Sequence, residues 1–190
     1  KHNKKFWDDI IIYHDGVPEY EQEAINKIVE VKFVDLSESE HFQKIANSNI
    51  ETIGKYTIAT FYRYECLNLL SEYHQVIWND VDILIQGDIS GLLKFGENNG
   101  VAFSAALPGF VTGSAFLKFN NDYEMFRPLW NVGIMVLSDK LTNYKEIYEW
   151  CIDASIRYEN MLLWPDLAVL NIALQEFDIE PEDIDTNKYV

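Results

Sequence analysis

Short apolar segments alternate with amphipathic helical segments along this chain of 190 residues, and this alternation restricts the possible folds most. Helical spacing follows Pro18, runs along 53–73 and 139–158, and resumes at Pro165. Between these helices, β-branched and aromatic runs have the length of buried strands, at 6–13, 31–36, 75–85, 100–107 and 130–137. Strands separated by helices of this length require crossover connections. The sequence therefore predicts the α/β class, with a mostly parallel central sheet and helices on both faces.

Charge and composition exclude several classes of protein. The chain has 15 basic and 31 acidic residues, which gives a formal net charge of −16. No run of basic residues is longer than the Lys4-Lys5 pair near the start. Nucleic-acid binding needs clustered Lys and Arg, so we expect no nucleic-acid partner. No apolar run approaches the ~20 residues that cross a bilayer. We expect one domain over 1–190, located in the cytoplasm or peripherally at a membrane, with Cys66 and Cys151 as reduced, buried thiols.

Two carboxylates, Asp80 and Asp82, interrupt the apolar pattern of 76–85. Residues two apart face the same side of an extended chain, where two like charges on a mostly buried strand repel each other. Mg²⁺ or Mn²⁺ would relieve that repulsion, since each takes oxygen ligands and commonly binds one or two carboxylates, leaving positions for a diphosphate. The cation would also let an acidic protein bind an anionic nucleotide. The alternative is that both aspartates are solvated turn residues at a strand end.

Arg63 lies within the inward-facing stripe of 53–73. A buried guanidinium needs an anion, because burying the charge alone is expensive. Its partner could be the phosphate or sugar of a ligand, or a structural carboxylate such as Asp80 or Asp82. The spacing alone does not separate these alternatives.

Asn131 and Asp166 are weaker candidates. Asn131 begins a predicted strand two residues before Gly133, where an amide can read sugar hydroxyls or simply stabilise a turn. Asp166 follows Pro165, where the helix dipole favours an acid, and the neighbouring apolar stripe indicates that it also faces inward.

Motifs for other chemistries are missing from the sequence. It contains no nucleophile elbow, P-loop, G-x-G-x-x-G or C-x-x-C motif, which argues against serine hydrolases, P-loop enzymes, dehydrogenases and thiol redox proteins. Phosphotransferases that use D-x-D as nucleophile and acid carry the motif on their first strand with Thr or Val two residues later, but here Leu84 holds that place. The four histidines have no metal-ligand spacing, and we assign them no role.

Four blocks in consistent order resemble glycosyltransferase family 8, over roughly residues 6–175. They are 61–64, 76–82 with 87–89, 130–135, and 165–171. The resemblance implies a GT-A fold and a metal-dependent, retaining transfer of a hexose from a UDP-sugar, UDP-glucose or UDP-galactose. It also implies a glycan, glycolipid (lipopolysaccharide) or glycoprotein acceptor.

The resemblance also implies site residues. Asp80 and Asp82 would bind the metal, Mn²⁺ or Mg²⁺, which stabilises the leaving nucleotide. Arg63, Asp80, Val81, Asn131 and Asp166 would bind the nucleotide sugar, with Asp166 as the catalytic residue. We expect acceptor choice to reside in the unpatterned segment 108–127.

Three departures from the family pattern qualify this expectation. Leu167 stands where the family usually has a glutamine, no histidine follows His74 to act as a third metal ligand, and a first, nucleobase-binding strand is missing. The sequence therefore suggests a chain incomplete at both ends. The alternative is a catalytically impaired relative that binds a nucleotide sugar or glycan, or scaffolds a partner enzyme.

Overall fold

The computed structural model describes residues 6–48, 57–105 and 108–185. Within them lie six strands: β1 Ile11–His14, β2 Lys32–Asp35, β3 Gln75–Asn79, β4 Val101–Ala105, β5 Trp130–Ser138 and β6 Glu182–Ile184. The α-helices of the described residues are α1 Glu19–Asn26, α2 Glu40–Ala46, α3 Glu65–Asn68, α4 Tyr144–Arg157 and α5 Pro165–Glu176. Single 3₁₀ segments cover Ile58–Tyr64, Leu69–Ser71, Ser90–Lys94 and Thr112–Ala115.

The strands form two sheets. β1 and β2 pair in parallel, and the larger sheet has the order β3-β5-β4-β6. In the larger sheet β5 is antiparallel to both of its neighbours, whereas β4 and β6 are parallel. β3, β4 and β6 therefore run in one direction and β5 in the other. Three of the four strands thus share one direction, and the predicted α/β class with a mostly parallel central sheet is confirmed in this sense, although β5 makes both of its pairings antiparallel.

The core lies between the larger sheet and helices α3, α4 and α5. α4 buries one face, which includes Ile147 and Cys151, as its amphipathic pattern predicts. α5 is buried on nearly every face from Pro165 to Leu174. A smaller apolar cluster covers the other face of the sheet and includes Leu92 of the 3₁₀ segment and Ile184 of β6. Helical segments thus cover both faces, and burial of apolar side chains supplies most of the stabilisation.

The prediction of a regular helix over 53–73 is wrong. Residues 53–56 lie outside the described residues, and the chain then winds as a 3₁₀ segment, Ile58–Tyr64, before α3 begins. β-branched and aromatic side chains lose rotamer freedom in an α-helix, and several of them occupy this segment. The prediction that Arg63 faces inward is confirmed, since the residue is buried.

The predicted strand over 75–85, with a break at 79–82, ends at the break and does not resume. β3 ends at Asn79, and the Ile83 N–H donates to the Asp80 carbonyl at 3.1 Å, closing a turn. Ile83 and the two residues after it therefore do not continue the strand, despite their apolar character. Asp80 and Asp82 lie on this turn, so the expectation that they share one side of an extended strand is also wrong.

Cys66 and Cys151 are unpaired and buried, as predicted. Burial raises the pKa of the Cys66 thiol to about 12, so it behaves as an inert core group. Among the described residues, no helix combines the length and apolarity needed to span a membrane.

Candidate functional site

Four segments that are distant in sequence meet at one edge of the larger sheet. They are the 3₁₀ segment Ile58–Tyr64, the carboxyl end of β3, the first residues of β5, and the first turn of α5. Contacts of the Arg63 guanidinium join all four. Ligand sites of α/β proteins commonly lie outside the carboxyl ends of strands, which makes this edge the candidate functional site.

Arg63 uses its whole guanidinium fork on protein partners. Nη2 lies 3.1 Å from Asp80 Oδ1, and Nε lies 2.8 Å from Asp166 Oδ2. Nη1 donates to the Val132 carbonyl at 2.8 Å, and Nε also donates to the Thr60 carbonyl at 3.1 Å. The Arg63 side chain is only 9% exposed. The salt-bridge alternative considered for Arg63 is therefore observed, with Asp80 and Asp166 as its partners.

Asp80 is held by contacts on several sides. The Trp78 indole Nε1–H donates to Oδ1 at 2.7 Å, the same oxygen that faces Arg63. The Asp80 N–H donates to the Gly133 carbonyl at 2.9 Å. Trp78 also lies beside the guanidinium, with Arg63 Cζ 5.4 Å from the ring centroid. The side chain is 30% exposed, so part of this carboxylate still reaches solvent.

Asp166 lies at the start of α5 and is buried, which confirms that it faces inward. Burial raises the pKa of Asp166 above its ordinary value, because the charged form loses its hydration. The Arg63 charge and the first N–H groups of α5 act in the opposite direction but do not cancel the effect of burial. A buried carboxyl with a shifted pKa beside an arginine is typical of functional sites.

The first residues of β5 form an irregular stretch. The pairing between β4 and β5 shifts register between Phe103 and Ser104, so β5 bulges over 132–134. The Asn131 Oδ1 accepts the Gly133 N–H at 2.7 Å, the turn-stabilising role considered for this amide. A Cβ atom at Gly133 would lie 3.3 Å from Asp80 Oδ2, so glycine keeps the space beside this carboxylate open.

Val81 and Asp82 lie at the exposed side of the site. Val81 is 100% exposed, and Asp82 is exposed as well. No group of three metal-ligating side chains occurs in the part of the chain that the structure describes. The solvated-turn alternative describes the surroundings of Asp82, whereas Asp80 is tied into the ion-pair network.

Two residues that shape the site, Trp78 and Asn171, are not among the site residues predicted from the sequence. In the sequence, Trp78 is only one residue of an apolar strand, yet its N–H orients Asp80. Asn171 is buried, and its Oδ1 accepts the Trp130 N–H at 2.8 Å, fixing the start of β5. A polar amide in the middle of an otherwise apolar helix was the available signal for Asn171. Trp78 carried no such signal, because its partner becomes visible only in the folded chain.

The segment 108–127 is irregular, as predicted. It contains the 3₁₀ segment Thr112–Ala115 and an isolated bridge between Val111 and Pro128. Phe110 is partly exposed, and its ring centroid lies 6.0 Å from that of Trp164, the residue before α5. Trp164 is two residues before Asp166, so this aromatic pair lies beside the start of α5.

Comparisons with known structures show the fold. The apo structure of WbbM, a bifunctional glycosyltransferase, matches with a TM-score of 0.61 and 18% identity over 87% of this chain and 31% of that one. The galactosyltransferase LgtC, in complex with donor and acceptor sugar analogs, matches with a TM-score of 0.66 and 15% identity over 89% and 60%. An active-site mutant of LgtC matches with a TM-score of 0.64 and 15% identity over 86% and 58%.

The chain therefore has the GT-A fold, and it spans less than two thirds of the length of each of these structures. No curated protein sequence matches the chain significantly. The family described as "Glycosyl transferase family 8" matches residues 1–180, which is nearly the whole chain. Because the match covers far more than half of the chain, this chain belongs to glycosyl transferase family 8.

Proposed function

We propose that this chain is the nucleotide-sugar-binding domain of a retaining glycosyltransferase that transfers glucose or galactose from a UDP-sugar. One observation carries the proposal: Arg63 joins Asp80, on the D-x-D turn, to Asp166, at the start of α5. This pairing assembles the separate family blocks into one site at the sheet edge. Family membership supplies the reaction class, and the site supplies groups suited to it.

Asp80 and Asp82 fit a hard divalent cation, Mn²⁺ or Mg²⁺, by the chemistry of their oxygens. Asp80 Oδ1 contacts Arg63 and Trp78, and Oδ2 lies beside Gly133. The Asp80 side chain is 30% exposed, and Asp82 reaches solvent. Such a cation, when bound, neutralises the diphosphate and stabilises the leaving nucleotide. Two carboxylates on one turn suffice, because these ions commonly complete their shell with water and phosphate oxygens.

The remaining residues would hold the sugar and the nucleotide. Asn131 presents its Nδ2 donor to a ligand, because its Oδ1 already accepts the Gly133 N–H. Asp166 would accept hydrogen bonds from sugar hydroxyls and serve as the catalytic carboxyl beside the reacting carbon. Arg63 keeps both carboxylates oriented and offsets their charge, while the exposed Val81 would contact the nucleotide.

The acceptor side of the reaction is assigned to the segment 108–127. Phe110 and Trp164 present partly exposed rings there, and aromatic faces suit the apolar faces of sugars. The acceptor classes are a glycan, a glycolipid such as lipopolysaccharide, or a glycoprotein. A cytoplasmic location, free or at the periphery of a membrane, would give access to UDP-sugars.

One observation favours a second candidate, a catalytically impaired relative that binds a nucleotide sugar or glycan or scaffolds a partner enzyme. Leu167 follows Asp166, at the place where the family usually has a glutamine. A leucine side chain offers no hydrogen bond to a reacting sugar. Such a protein would bind UDP-sugars without turning them over.

The experiment that separates the two candidates is release of UDP from UDP-glucose and UDP-galactose with Mn²⁺. We expect turnover by the wild type, abolished in Asp80→Ala and unchanged in Asp153→Ala, which removes an exposed carboxylate from α4. Binding of UDP-sugar without any UDP release would favour the impaired relative. Failure to bind either nucleotide sugar would contradict the first candidate and leave only a glycan-binding or scaffolding role for the second.

A further inference from the structure

Asn171 is a buried amide that makes three hydrogen bonds. Its Oδ1 accepts the Trp130 N–H at 2.8 Å, and its Nδ2 donates to the Trp130 carbonyl at 2.9 Å. Nδ2 also donates to the Leu167 carbonyl, one turn earlier in α5, at 2.8 Å. Only 2% of the residue is exposed. A buried amide is costly unless it is paired in this way, so the contacts hold the side chain in one orientation.

The amide takes the place of a neighbouring strand. β3 pairs with β5 only over residues 134–138 of β5, so the first residues of β5 extend beyond the end of β3. By bonding both the N–H and the carbonyl of Trp130, Asn171 makes the pair of bonds that an antiparallel strand residue makes. The start of β5 is thereby fixed to α5 through a single side chain.

This attachment joins two candidate sugar-binding groups. α5 begins with Asp166 in its first turn, and β5 carries Asn131 directly after Trp130. We propose that Asn171 is a positioning residue, an inference that rests on the proposed function. Asn171 holds Asn131 in the position relative to Asp166 in which both can bind the sugar of the nucleotide sugar. Asn171 acts through the backbone of Trp130 and does not touch the ligand itself.

The test compares Asn171→Ala with a matched control. Ser155→Ala removes a fully buried hydroxyl from α4, which bonds to the Cys151 carbonyl and the Tyr64 hydroxyl, and it leaves the bonds between Asn171 and Trp130 in place. Calorimetry with Mn²⁺ gives the affinities of each protein for UDP, UDP-glucose and UDP-galactose. Hydrogen exchange of residues 130–133 reports whether the start of β5 has come loose.

In Asn171→Ala we expect the ratio of UDP-sugar affinity to UDP affinity to fall about tenfold, the effect of one misplaced hydrogen-bonding group. UDP affinity itself stays within about twofold, and exchange at 130–133 rises. Ser155→Ala lowers the melting temperature without changing the ratio. A merely structural Asn171 would behave like Ser155.

An unchanged ratio in folded Asn171→Ala would overturn the positioning role. If that variant does not fold, Asn171→Asp is used, because it keeps the volume and the acceptor oxygen but places a carboxylate oxygen against the Trp130 carbonyl. The same fall in the ratio of UDP-sugar affinity to UDP affinity is expected, and an unchanged ratio would again contradict the positioning role. If the wild type binds no nucleotide sugar, both the proposed function and this role of Asn171 are wrong. The titration of the wild type shows this before any variant is made.

Discussion

The two halves of the candidate site are built in opposite ways. The buried half comprises Arg63, Asp80 and Asp166, which the protein joins through ion pairs of 3.1 Å and 2.8 Å. The exposed half comprises Val81 and Asp82, which project from the turn after β3 into solvent. The buried half is held together by contacts within the chain, whereas the side chains of the exposed half face solvent. This contrast suits the cation and the diphosphate of the proposed function.

The largest effect is expected from removing the centre of the buried half. Arg63→Ala leaves two neighbouring carboxylates without their shared cation, and breaking a buried ion pair in this way costs about 3–5 kcal/mol. Urea denaturation gives the loss in the free energy of unfolding. Arg63→Lys restores the charge without the planar fork and should recover only part of the loss. A loss below about 1 kcal/mol in Arg63→Ala would show that the buried half is not a coupled unit.

A smaller effect is expected at the rim of the buried half. Trp78→Phe keeps the ring beside Arg63 but removes the N–H that donates to Asp80 Oδ1 at 2.7 Å. Loss of a hydrogen bond to a charged acceptor that is partly exposed should cost about 1.5 kcal/mol, measured by the same denaturation. Asp80→Ala removes the acceptor, so an equal cost of Trp78→Phe in that background would contradict the role given to this N–H.

The pH dependence of stability tests the burial of Asp166. Because its pKa is raised in the folded state, the protonated carboxyl contributes stability that is present below its ordinary pKa and lost as pH rises through the raised value. The free energy of unfolding of wild type relative to Asp166→Asn should therefore decrease as pH rises from the ordinary pKa to the raised pKa. The slope is at most about 1.4 kcal/mol per pH unit. A relative stability that rises with pH would mean that the Arg63 charge outweighs burial.

The smallest effect is expected in the exposed half. Asp82→Ala should change the free energy of unfolding by less than about 0.5 kcal/mol, because an exposed side chain away from caps and networks contributes little. Thermal denaturation without added metal checks this directly. A large loss would place Asp82 in the structural network and remove the contrast between the two halves.

The parts of the molecule that local pattern determines could be predicted from sequence. α5 begins at Pro165 as expected, because proline is favoured in the first turn, and the burial of Arg63 follows from its place in an apolar stripe. The sequence offered the turn at Asp80 only as an alternative, since the apolar residues after it resemble a continuing strand.

Long-range pairing explains what else the sequence did not reveal. The bulge in β5 depends on how β4 and β5 are aligned, and the role of Asn171 depends on β3 ending before Trp130. No local sequence pattern indicates the position of the bulge or the residue to which Asn171 bonds. The joining of Asp80 and Asp166 by one arginine likewise appears only when the segments meet.

The most direct test of the central claim is calorimetric titration of UDP into wild type and Asp82→Ala, with and without Mn²⁺. We expect that Mn²⁺ strengthens UDP binding by wild type and that Asp82→Ala loses this gain while keeping its melting temperature. UDP binding that is equally strengthened by Mn²⁺ in both proteins would contradict the proposal that Asp82 holds the cation together with Asp80.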